Sequence, residues 1–360
     1  MKTDLLPELE SEPLAVQTLY PDPEYFQEWS VAQDQKEKEI EELLDDADPE
    51  ILGITHTDAD GYGCEVMLRE AFPESDVTVL TGAESGPHAV KHIGDTVAQN
   101  IDQETSIFIM DLAPNKGDGR KFIDPFRQFD DVTVIDHHEW NEKDAEQIEW
   151  VAETYHDTDR CATQIVHDEL LSDPRPEITE LSQVTADHDL WIKEDRERSD
   201  ALSDLAQQAD REDYVRMAVE HGVNMLNTEE GQEIIEEARE IRQKETELAL
   251  NRTSFHDVDG QTVAIAYGEC SGSDVGEELY ENHNADLACI VYPNGNVSFR
   301  APDDNPVARD VALKLGGGGH ECAAGAKIDM IGKSVNYTTF WATKGRAARE
   351  HLVEVARETI

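Results

Sequence analysis

Two short apolar runs that each end in a cluster of metal-binding side chains constrain this chain more than any other feature. The run at 51–54 and the run at 132–135 are followed, respectively, by His56, Asp58 and Asp60, and by Asp136, His137 and His138. Imidazole and carboxylate groups together, without a thiolate, suit a hard or borderline divalent ion such as Mn²⁺ better than a structural zinc. The pattern therefore indicates hydrolytic metal chemistry.

The spacing of the apolar runs predicts an α/β fold. Short runs at 51–54, 77–80, 107–110 and 132–135 alternate with amphipathic stretches such as 63–71 and 89–98. Such alternation implies βαβ units and a parallel sheet with helices on both faces. Loops beyond the carboxyl ends of parallel strands form the binding crevice, so both clusters and Asp111, which follows the third run, are expected to converge.

Four segments are predicted along the chain. Residues 1–47 form an acidic arm with a helix at 34–46, and residues 48–200 form the catalytic domain. Residues 201–252 form a helical linker, because 229–250 is charged and has little apolar face. Residues 253–360 form a smaller α/β domain with strands near 263–267, 287–292 and 297–300 and a last helix near 344–358.

The charge is strongly negative, with 30 Lys and Arg against 80 Asp and Glu and a net charge of −50. At about 1 M salt the Debye length is roughly 3 Å, which screens self-repulsion, so the composition favours a halophilic, haloarchaeal source. Interleaved apolar segments argue against a disordered acidic protein. No stretch approaches about 18 apolar residues, so no membrane segment is expected and a cytoplasmic location is predicted.

Four motifs resemble those of the DHH phosphoesterase superfamily and occur in the same order. They are HTDADG at 56–61, Asp111 after IFIM, DHH at 136–138 and TADHDLW at 185–191. GGGGH at 316–320, with VSFR at 297–300, resembles the smaller C-terminal domain that accompanies the RecJ exonuclease and nanoRNase branches. The resemblance spans residues 51 to about 328.

The resemblance implies a site with two Mn²⁺ ions, for which Mg²⁺ or Co²⁺ are possible substitutes. It implies that one ion is held by His56 and Asp58, the other by Asp60, His137 and Asp187, and both by Asp111. Asp189 is the open alternative to Asp187. Two cations about 3.5 to 4 Å apart can clamp a phosphoryl oxygen and share a hydroxide, and a bridging carboxylate offsets their repulsion.

Two further residues of the DHH run are expected to act beside the metals. His138 is predicted to stabilise phosphate charge or assist proton transfer, and Asp136 to orient a neighbouring ligand, with direct coordination as the alternative. In so acidic a chain any single Asp is most often a solvated surface carboxylate. Only the joint pattern supports these roles.

Substrate contacts are predicted in the C-terminal domain. Backbone N–H groups of the glycine run are expected to approach a phosphate, with charge from two side chains, although a flexible turn is the alternative. The predicted contact residues are Gly316, Gly317, Gly318, Gly319, His320 and Arg300.

The scarcity of basic residues favours small substrates. Processive binding of long strands uses a basic groove with stacking aromatics, and counterion release is weak in concentrated salt. The predicted activity is that of an exonuclease or oligoribonuclease that releases mononucleotides from short single-stranded RNA or DNA. The alternatives are a phosphodiesterase or phosphatase for a cyclic dinucleotide or phosphoadenosine phosphate and, more remotely, a non-catalytic replication or repair scaffold. A homodimer and a replication or repair partner stay open.

Overall fold

The computed structural model describes residue 44 and residues 49–81, 87–114, 117–268, 270–292, 295–328 and 337–359. The predicted arm at 1–30 and the predicted helix at 34–46 lie outside the described residues, except for helical, buried Leu44. The described residues fall into two compact units, a first unit within Ser30–Arg239 and a second unit within Glu240–Ile360.

The first unit is built on a five-stranded sheet in which every pairing is parallel. Its strands, in the order β2-β1-β3-β4-β5, are β1 (Ile51–Thr55), β2 (Val77–Thr81), β3 (Ser106–Met110), β4 (Val132–Asp136) and β5 (Glu153–His156). Strands β1 and β4 are buried along their whole length, as expected of parallel strands covered on both faces. The strand order reverses between β1 and β3, which makes their carboxyl ends the topological switch point of the sheet.

Helices cover both faces of this sheet. They are α1 (Ala59–Ala71), α2 (Pro87–Asn100), α3 (Gly119–Ile123), α4 (Glu142–Glu149), α5 (Ala162–Leu170), α6 (Pro176–Asp189), α7 (Arg196–Gln208) and α8 (Arg211–His221). One apolar core joins the sheet to α1 and α5 to α8, and the other joins it to α2, α3 and α4. Single-turn 3₁₀ segments lie at Asp124–Gln128 and Gly222–Asn227.

Much of the segment predicted as a linker packs into the first unit. Leu202 and Leu205 of α7 and Tyr214 of α8 are buried in the same core as α1. Helix α9 (Glu229–Asn251) follows, and the division between the two units falls inside it, between Arg239 and Glu240.

The second unit contains a six-stranded mixed sheet in the order β10-β11-β9-β8-β7-β6. Its strands are β6 (Ser254–Val258), β7 (Gln261–Tyr267), β8 (Leu287–Val291), β9 (Asn296–Arg300), β10 (Gly318–Gly319) and β11 (Ala323–Lys327), and its helices are α10 (Gly272–His283), α11 (Ala308–Lys314) and α12 (Tyr337–Thr359). Only β7 and β8 pair in parallel. Alternate residues of β7 enter two separate apolar cores, as the two-residue period of a strand requires.

The observed architecture confirms the predicted fold class, a helix-covered parallel sheet followed by a smaller α/β unit. Among the described residues, no helix combines the length and the apolarity needed to cross a bilayer.

Candidate metal centre

The loop after β1 is shaped by a helix cap and a glycine. Asp58 is the N-cap of α1, and its Oδ1 accepts a hydrogen bond of 2.9 Å from the amide of Gly61. A Cβ at Gly61 would lie 2.3 Å from the carbonyl oxygen of His56, so only glycine permits this approach. The turn brings His56 Nδ1 to 2.6 Å from Asp58 Oδ2.

Asp111 follows β3 in a left-handed backbone conformation, with φ of 54°. A non-glycine residue in this region is uncommon, and such outliers concentrate at functional sites. Its amide donates to the carbonyl of Ile135 at 2.9 Å, which ties the end of β3 to the end of β4. The side chain is buried, and its position is therefore fixed by both neighbouring strands.

The two oxygens of Asp111 face two different groups of side chains. Oδ2 lies 4.0 Å from His56 Nδ1, and Oδ1 lies 3.5 Å from His137 Nε2. Three groups of candidate ligand atoms each fall within 4.8 Å of one another: His56, Asp58 and Asp111; Asp60, His137 and Asp189; and Asp111, His137 and His138. Asp111 thus lies where a carboxylate can serve two cations at once.

Asp60 is fixed by the start of helix α5. It is buried, and its two carboxylate oxygens accept hydrogen bonds of 2.8 Å from the amides of Ala162 and Thr163. A helix N-terminus favours a negative charge at this position. Asp60 Oδ2 also lies 3.8 Å from His137 Nε2, so one carboxylate caps a helix and faces the cluster.

Of the two aspartates of the fourth motif, Asp189 lies near His137 and Asp187 does not join the described groups of candidate ligands. Asp189 Oδ2 lies 3.5 Å from His137 Nε2, whereas Asp187 accepts hydrogen bonds from the amides of Glu194 and Asp195 at 2.8 and 3.3 Å. Residues two apart on a helix point about 200° apart, so only one of the pair can face the cluster. The Asp187 carboxylate is occupied by the loop after α6, so this geometry favours Asp189, the alternative that the sequence left open.

Asp136 lies behind His138 in a hydrogen-bonded network. It is fully buried, and its oxygens interact with His138 Nδ1 at 2.8 Å and accept from Trp140 Nε1 at 2.6 Å. The Trp140 ring stacks on His156 at 4.3 Å between centroids, and His156 Nε2 donates to the carbonyl of His138 at 2.6 Å. Sequence reasoning missed Trp140 and His156. An indole N–H needs a hydrogen-bond partner when it is buried, and Asp136 lies only four residues before Trp140 in the chain.

The carboxylates of the cluster carry an unbalanced charge. Burial, with the nearby charges of Asp60 and Asp58, raises the pKa of Asp111 well above its usual range, and burial beside the same charges raises the pKa of Asp189 to about 7. Among the described residues, the ion pairs of Asp58, Asp60, Asp111 and Asp189 are all with histidines. Divalent cations would relieve this repulsion, so the residues fit a metal centre.

The two histidines of the DHH run differ in their electrostatics. Burial lowers the pKa of His137, which favours the neutral ring that binds metals. The hydrogen bond to Asp136 raises the pKa of His138, which favours a protonated ring, and half of its side chain is exposed. His137 is therefore suited to coordination and His138 to contact with an anion.

The predicted substrate residues of the second unit share one end of its sheet. Arg300 pairs with Ala323 across β9 and β11, and the amide of His320 donates to the carbonyl of Ala323 at 2.8 Å. The guanidinium of Arg300 donates to Ser273 Oγ at 3.3 Å and to the carbonyl of Phe299 at 3.0 Å, and burial lowers its pKa. His320 is exposed.

The glycine run ends one helix and begins one strand. The amides of Gly316 and Gly317 donate to the carbonyls of Leu313 and Ala312 in the last turn of α11. Gly318 and Gly319 form β10, and a Cβ at Gly319 would lie 2.6 Å from the Cα of Ala324. Two of the four amides expected to approach a phosphate are thus used to cap α11, and Gly318 and Gly319 pair with Gly325 and Ala324 of β11.

Comparisons with known proteins give two curated relatives. No family model matches the chain. A Bacillus subtilis protein named oligoribonuclease NrnB is 24% identical over 297 residues, which cover 76% of this chain and 72% of the relative. A Helicobacter pylori protein named 3′,5′-cyclic-nucleotide phosphodiesterase is 21% identical over 336 residues, which cover 80% of this chain and 95% of the relative.

Solved structures share the fold at low sequence identity. The DHH domain of a protein described as a member of the s1p family of ribosomal proteins has a TM-score of 0.59 at 14% identity, covering 99% of this chain and 93% of that one. Exonuclease RecJ bound to manganese has a TM-score of 0.51 at 16% identity, and the match covers 89% of this chain and 94% of the RecJ chain.

The chain shares its fold with a DHH domain and with exonuclease RecJ, and its strand-end cluster could hold metal ions. The two curated relatives and the shared fold support the resemblance to DHH superfamily phosphoesterases that the motifs carry.

Proposed function

We propose that this chain is a Mn²⁺-dependent phosphodiesterase that cleaves short single-stranded oligonucleotides and releases mononucleotides. The observation that carries the proposal is the buried carboxylate of Asp111, whose two oxygens face separate groups of histidine and carboxylate ligands. This arrangement is the one that two-cation hydrolysis of a phosphoester requires.

Each cation has its own set of protein ligands in this proposal. His56 and Asp58 would hold one cation, Asp60, His137 and Asp189 would hold the other, and Asp111 lies between the two groups. When bound, the cations would supply Lewis-acid stabilisation of the phosphoryl group and would lower the pKa of a water molecule. The mixture of imidazole and carboxylate donors favours Mn²⁺, with Mg²⁺ or Co²⁺ as possible substitutes.

His138 acts on the phosphate from outside the ligand set. Its Nδ1 is held by Asp136, so Nε2 is the atom left to donate a hydrogen bond to a phosphate oxygen or to transfer a proton. Asp136 orients His138 and is itself held by Trp140. We therefore assign a positioning role to Asp136 and the catalytic role to His138.

The choice of short oligonucleotides rests on composition and on one relative. Only 30 of 360 residues are Lys or Arg, which are too few to favour a long, positively charged groove for single strands. The alignment with oligoribonuclease NrnB covers most of both proteins. We assign Arg300, Gly318, Gly319 and His320 to substrate contact, and Gly316 and Gly317 to the shape of the same turn.

The second candidate is a phosphodiesterase for a small nucleotide, such as a cyclic dinucleotide, or a phosphatase for phosphoadenosine phosphate. The alignment with the cyclic-nucleotide phosphodiesterase supports it, since it covers 95% of that relative. A non-catalytic replication or repair scaffold is disfavoured, because every motif contributes a side chain to the cluster.

A substrate panel tests the proposal. Purified protein in about 1 M KCl with Mn²⁺ is given 5′-labelled ribo- and deoxyribo-oligomers of two to five nucleotides, a cyclic dinucleotide and phosphoadenosine phosphate. Asp111→Asn is the matched control, because it keeps the side-chain shape and removes the charge. Mononucleotide release that is fastest from the oligomers supports the proposal, faster turnover of a small nucleotide supports the second candidate, and no turnover of any substrate refutes both.

A further inference from the structure

An exposed tryptophan follows the fourth motif, close in the chain to the candidate metal centre. Trp191 follows helix α6, two residues after Asp189, and 53% of its surface is exposed. Two residues span at most about 7 Å between Cα atoms, so the backbone of Trp191 lies close to that of a candidate ligand. None of the metal-binding groups uses it.

The backbone holds Trp191 in a costly conformation. Its φ is 58°, in the left-handed region, and for a bulky residue this is an outlier. The amides of Trp191 and Ile192 donate to the carbonyls of His188 and Asp187 at 3.1 Å, so the turn is fixed. Because the ring is largely exposed, burial of apolar area does little to offset the strain, and such outliers concentrate at functional sites.

The groups around Trp191 match the chemistry of a nucleotide. Lys193 Nζ lies 3.8 Å from the centroid of the Trp191 ring, and among the described residues Lys193 forms no ion pair with a carboxylate. The ammonium fixes the ring through a cation–π contact and adds positive charge next to an acidic cluster. Aromatic rings beside a backbone-binding cation are how proteins hold single-stranded bases without sequence preference.

We propose that Trp191 is a stacking platform for the nucleobase next to the scissile phosphate, and that Lys193 contacts the phosphate carried by that nucleotide. This inference rests on the proposed function and narrows it. The site would require a nucleobase and tolerate any of them, and a phosphodiester without a base would lose this contact.

The chain offers a matched control for Trp191. Trp150 is 75% exposed and also has a cation over its ring, the guanidinium of Arg127 at 4.4 Å. It precedes β5, at the amino ends of the parallel strands, whereas the metal centre lies at the carboxyl ends. Trp150→Ala therefore reports what loss of an exposed, cation-capped tryptophan does away from the site.

The kinetic test compares substrates with and without a base. Trp191→Ala, Trp191→Phe, Trp150→Ala and Lys193→Met are assayed on a dinucleotide and on the same dinucleotide with an abasic residue at one position. Loss of one stacked base should raise KM about 5- to 100-fold for Trp191→Ala on the normal dinucleotide, with no change on the abasic one. Trp191→Phe should keep most of the affinity, Trp150→Ala should match the wild type, and Lys193→Met should weaken both substrates equally.

A binding test separates this inference from the proposed function. Tryptophan fluorescence is titrated with AMP and with ribose 5-phosphate, which needs no turnover. Quenching by AMP alone that disappears in Trp191→Phe supports the platform even if no dinucleotide is cleaved. Equal effects of Trp191→Ala on both dinucleotides, or AMP quenching that persists in Trp191→Phe, overturns it.

Discussion

The two units arrange polar side chains at strand ends in opposite electrostatic ways. In the first unit, the carboxylates of the candidate metal centre converge, and among the described residues their ion-pair partners are all histidines. Burial raises the pKa of one of them, Asp111. In the second unit, a single guanidinium is satisfied by Ser273 and a backbone carbonyl, and glycine amides cap a helix. Cations from solution would relieve the charge of the first arrangement, whereas the polar groups of the second find their partners within the protein.

The comparison predicts separate kinetic roles. A centre completed by cations governs the chemical step, so damage there should lower kcat. A preformed contact site holds substrate, so damage there should raise KM.

The largest expected effect comes from Asp111→Ala. It removes the one carboxylate that faces both ligand groups, so activity should fall by about 10³-fold or more, with loss of paired metal binding. Activity with Mn²⁺ and metal stoichiometry by calorimetry measure this. Circular dichroism in EDTA should show an intact fold, because repulsion among the carboxylates is relieved; full activity would contradict the bridging role.

His138→Ala should lower kcat by about 10²- to 10⁴-fold without releasing metal, since the two proposed ligand sets do not include its ring and its proposed role is to act on the phosphate. Trp140→Phe keeps an aromatic ring against His156 but loses the indole N–H that donates to Asp136, so kcat should fall by about 10-fold or less. Equal metal content with graded kcat values supports this order. Metal loss from His138→Ala would make His138 a ligand.

Asp189→Asn and Asp187→Asn should distinguish the metal-binding role of one carboxylate from the structural role of the other. Asp189→Asn should weaken Mn²⁺ binding about 10- to 100-fold, in the range seen when a metal site is perturbed. Asp187→Asn should leave Mn²⁺ affinity unchanged and lower the free energy of unfolding by about 1–3 kcal/mol, because its bonds to Glu194 and Asp195 are weakened. The reverse result would restore Asp187 as the ligand.

Arg300→Ala should raise KM about 10-fold while kcat stays near the wild-type value, because a charge-assisted contact to substrate is lost. Arg300→Lys should recover part of the affinity. A fall in kcat at constant KM would place Arg300 with the chemistry and break the division between the two units.

The smallest expected effect is the pH dependence of stabilisation by metal. In the metal-free protein, the raised pKa values of Asp111 and Asp189 mean that the folded state retains protons that the unfolded chain has released. The free energy of unfolding should therefore fall as pH rises from about 4 to about 7. Added Mn²⁺ should raise Tm by about 5 °C more at pH 8 than at pH 5.5, measured in molar KCl. A shift independent of pH would show that these carboxylates do not bind the cation.

Sequence patterns predicted the buried strands of the first unit, because these strands consist mostly of apolar residues. The runs at 51–54, 77–80, 107–110 and 132–135 became β1 to β4 because parallel strands covered on both faces are apolar throughout. Strand β5 was missed because it is short and polar and lies at the edge of the sheet. Helices α7 and α8 were interpreted as part of a linker, because a charged surface hides the few side chains, such as Leu202 and Tyr214, that pack into the core.

The sequence motifs predicted which segments form the candidate site, but not which side chain of each motif faces it. The order of the motifs gathers His56, Asp111 and His137, because strand ends of one sheet meet. The choice between Asp187 and Asp189 depends on which carboxylate accepts hydrogen bonds from the amides of residues 194 and 195. Those two amides lie in an irregular loop, which the sequence pattern does not describe. Trp140 depends in the same way on a tertiary contact with His156.

Asp60 has a consequence for how such a protein can lose its activity over evolution. Its carboxylate accepts the first amides of α5, and a Cβ at Gly63 would lie 2.2 Å from Thr163 Oγ1, so the start of α5 packs tightly on α1. A descendant that abandoned catalysis would be free to change Asp111 but would still need an acceptor at position 60 to fold. Retention of Asp60 in a relative is thus weak evidence of an active enzyme, and retention of Asp111 is strong evidence.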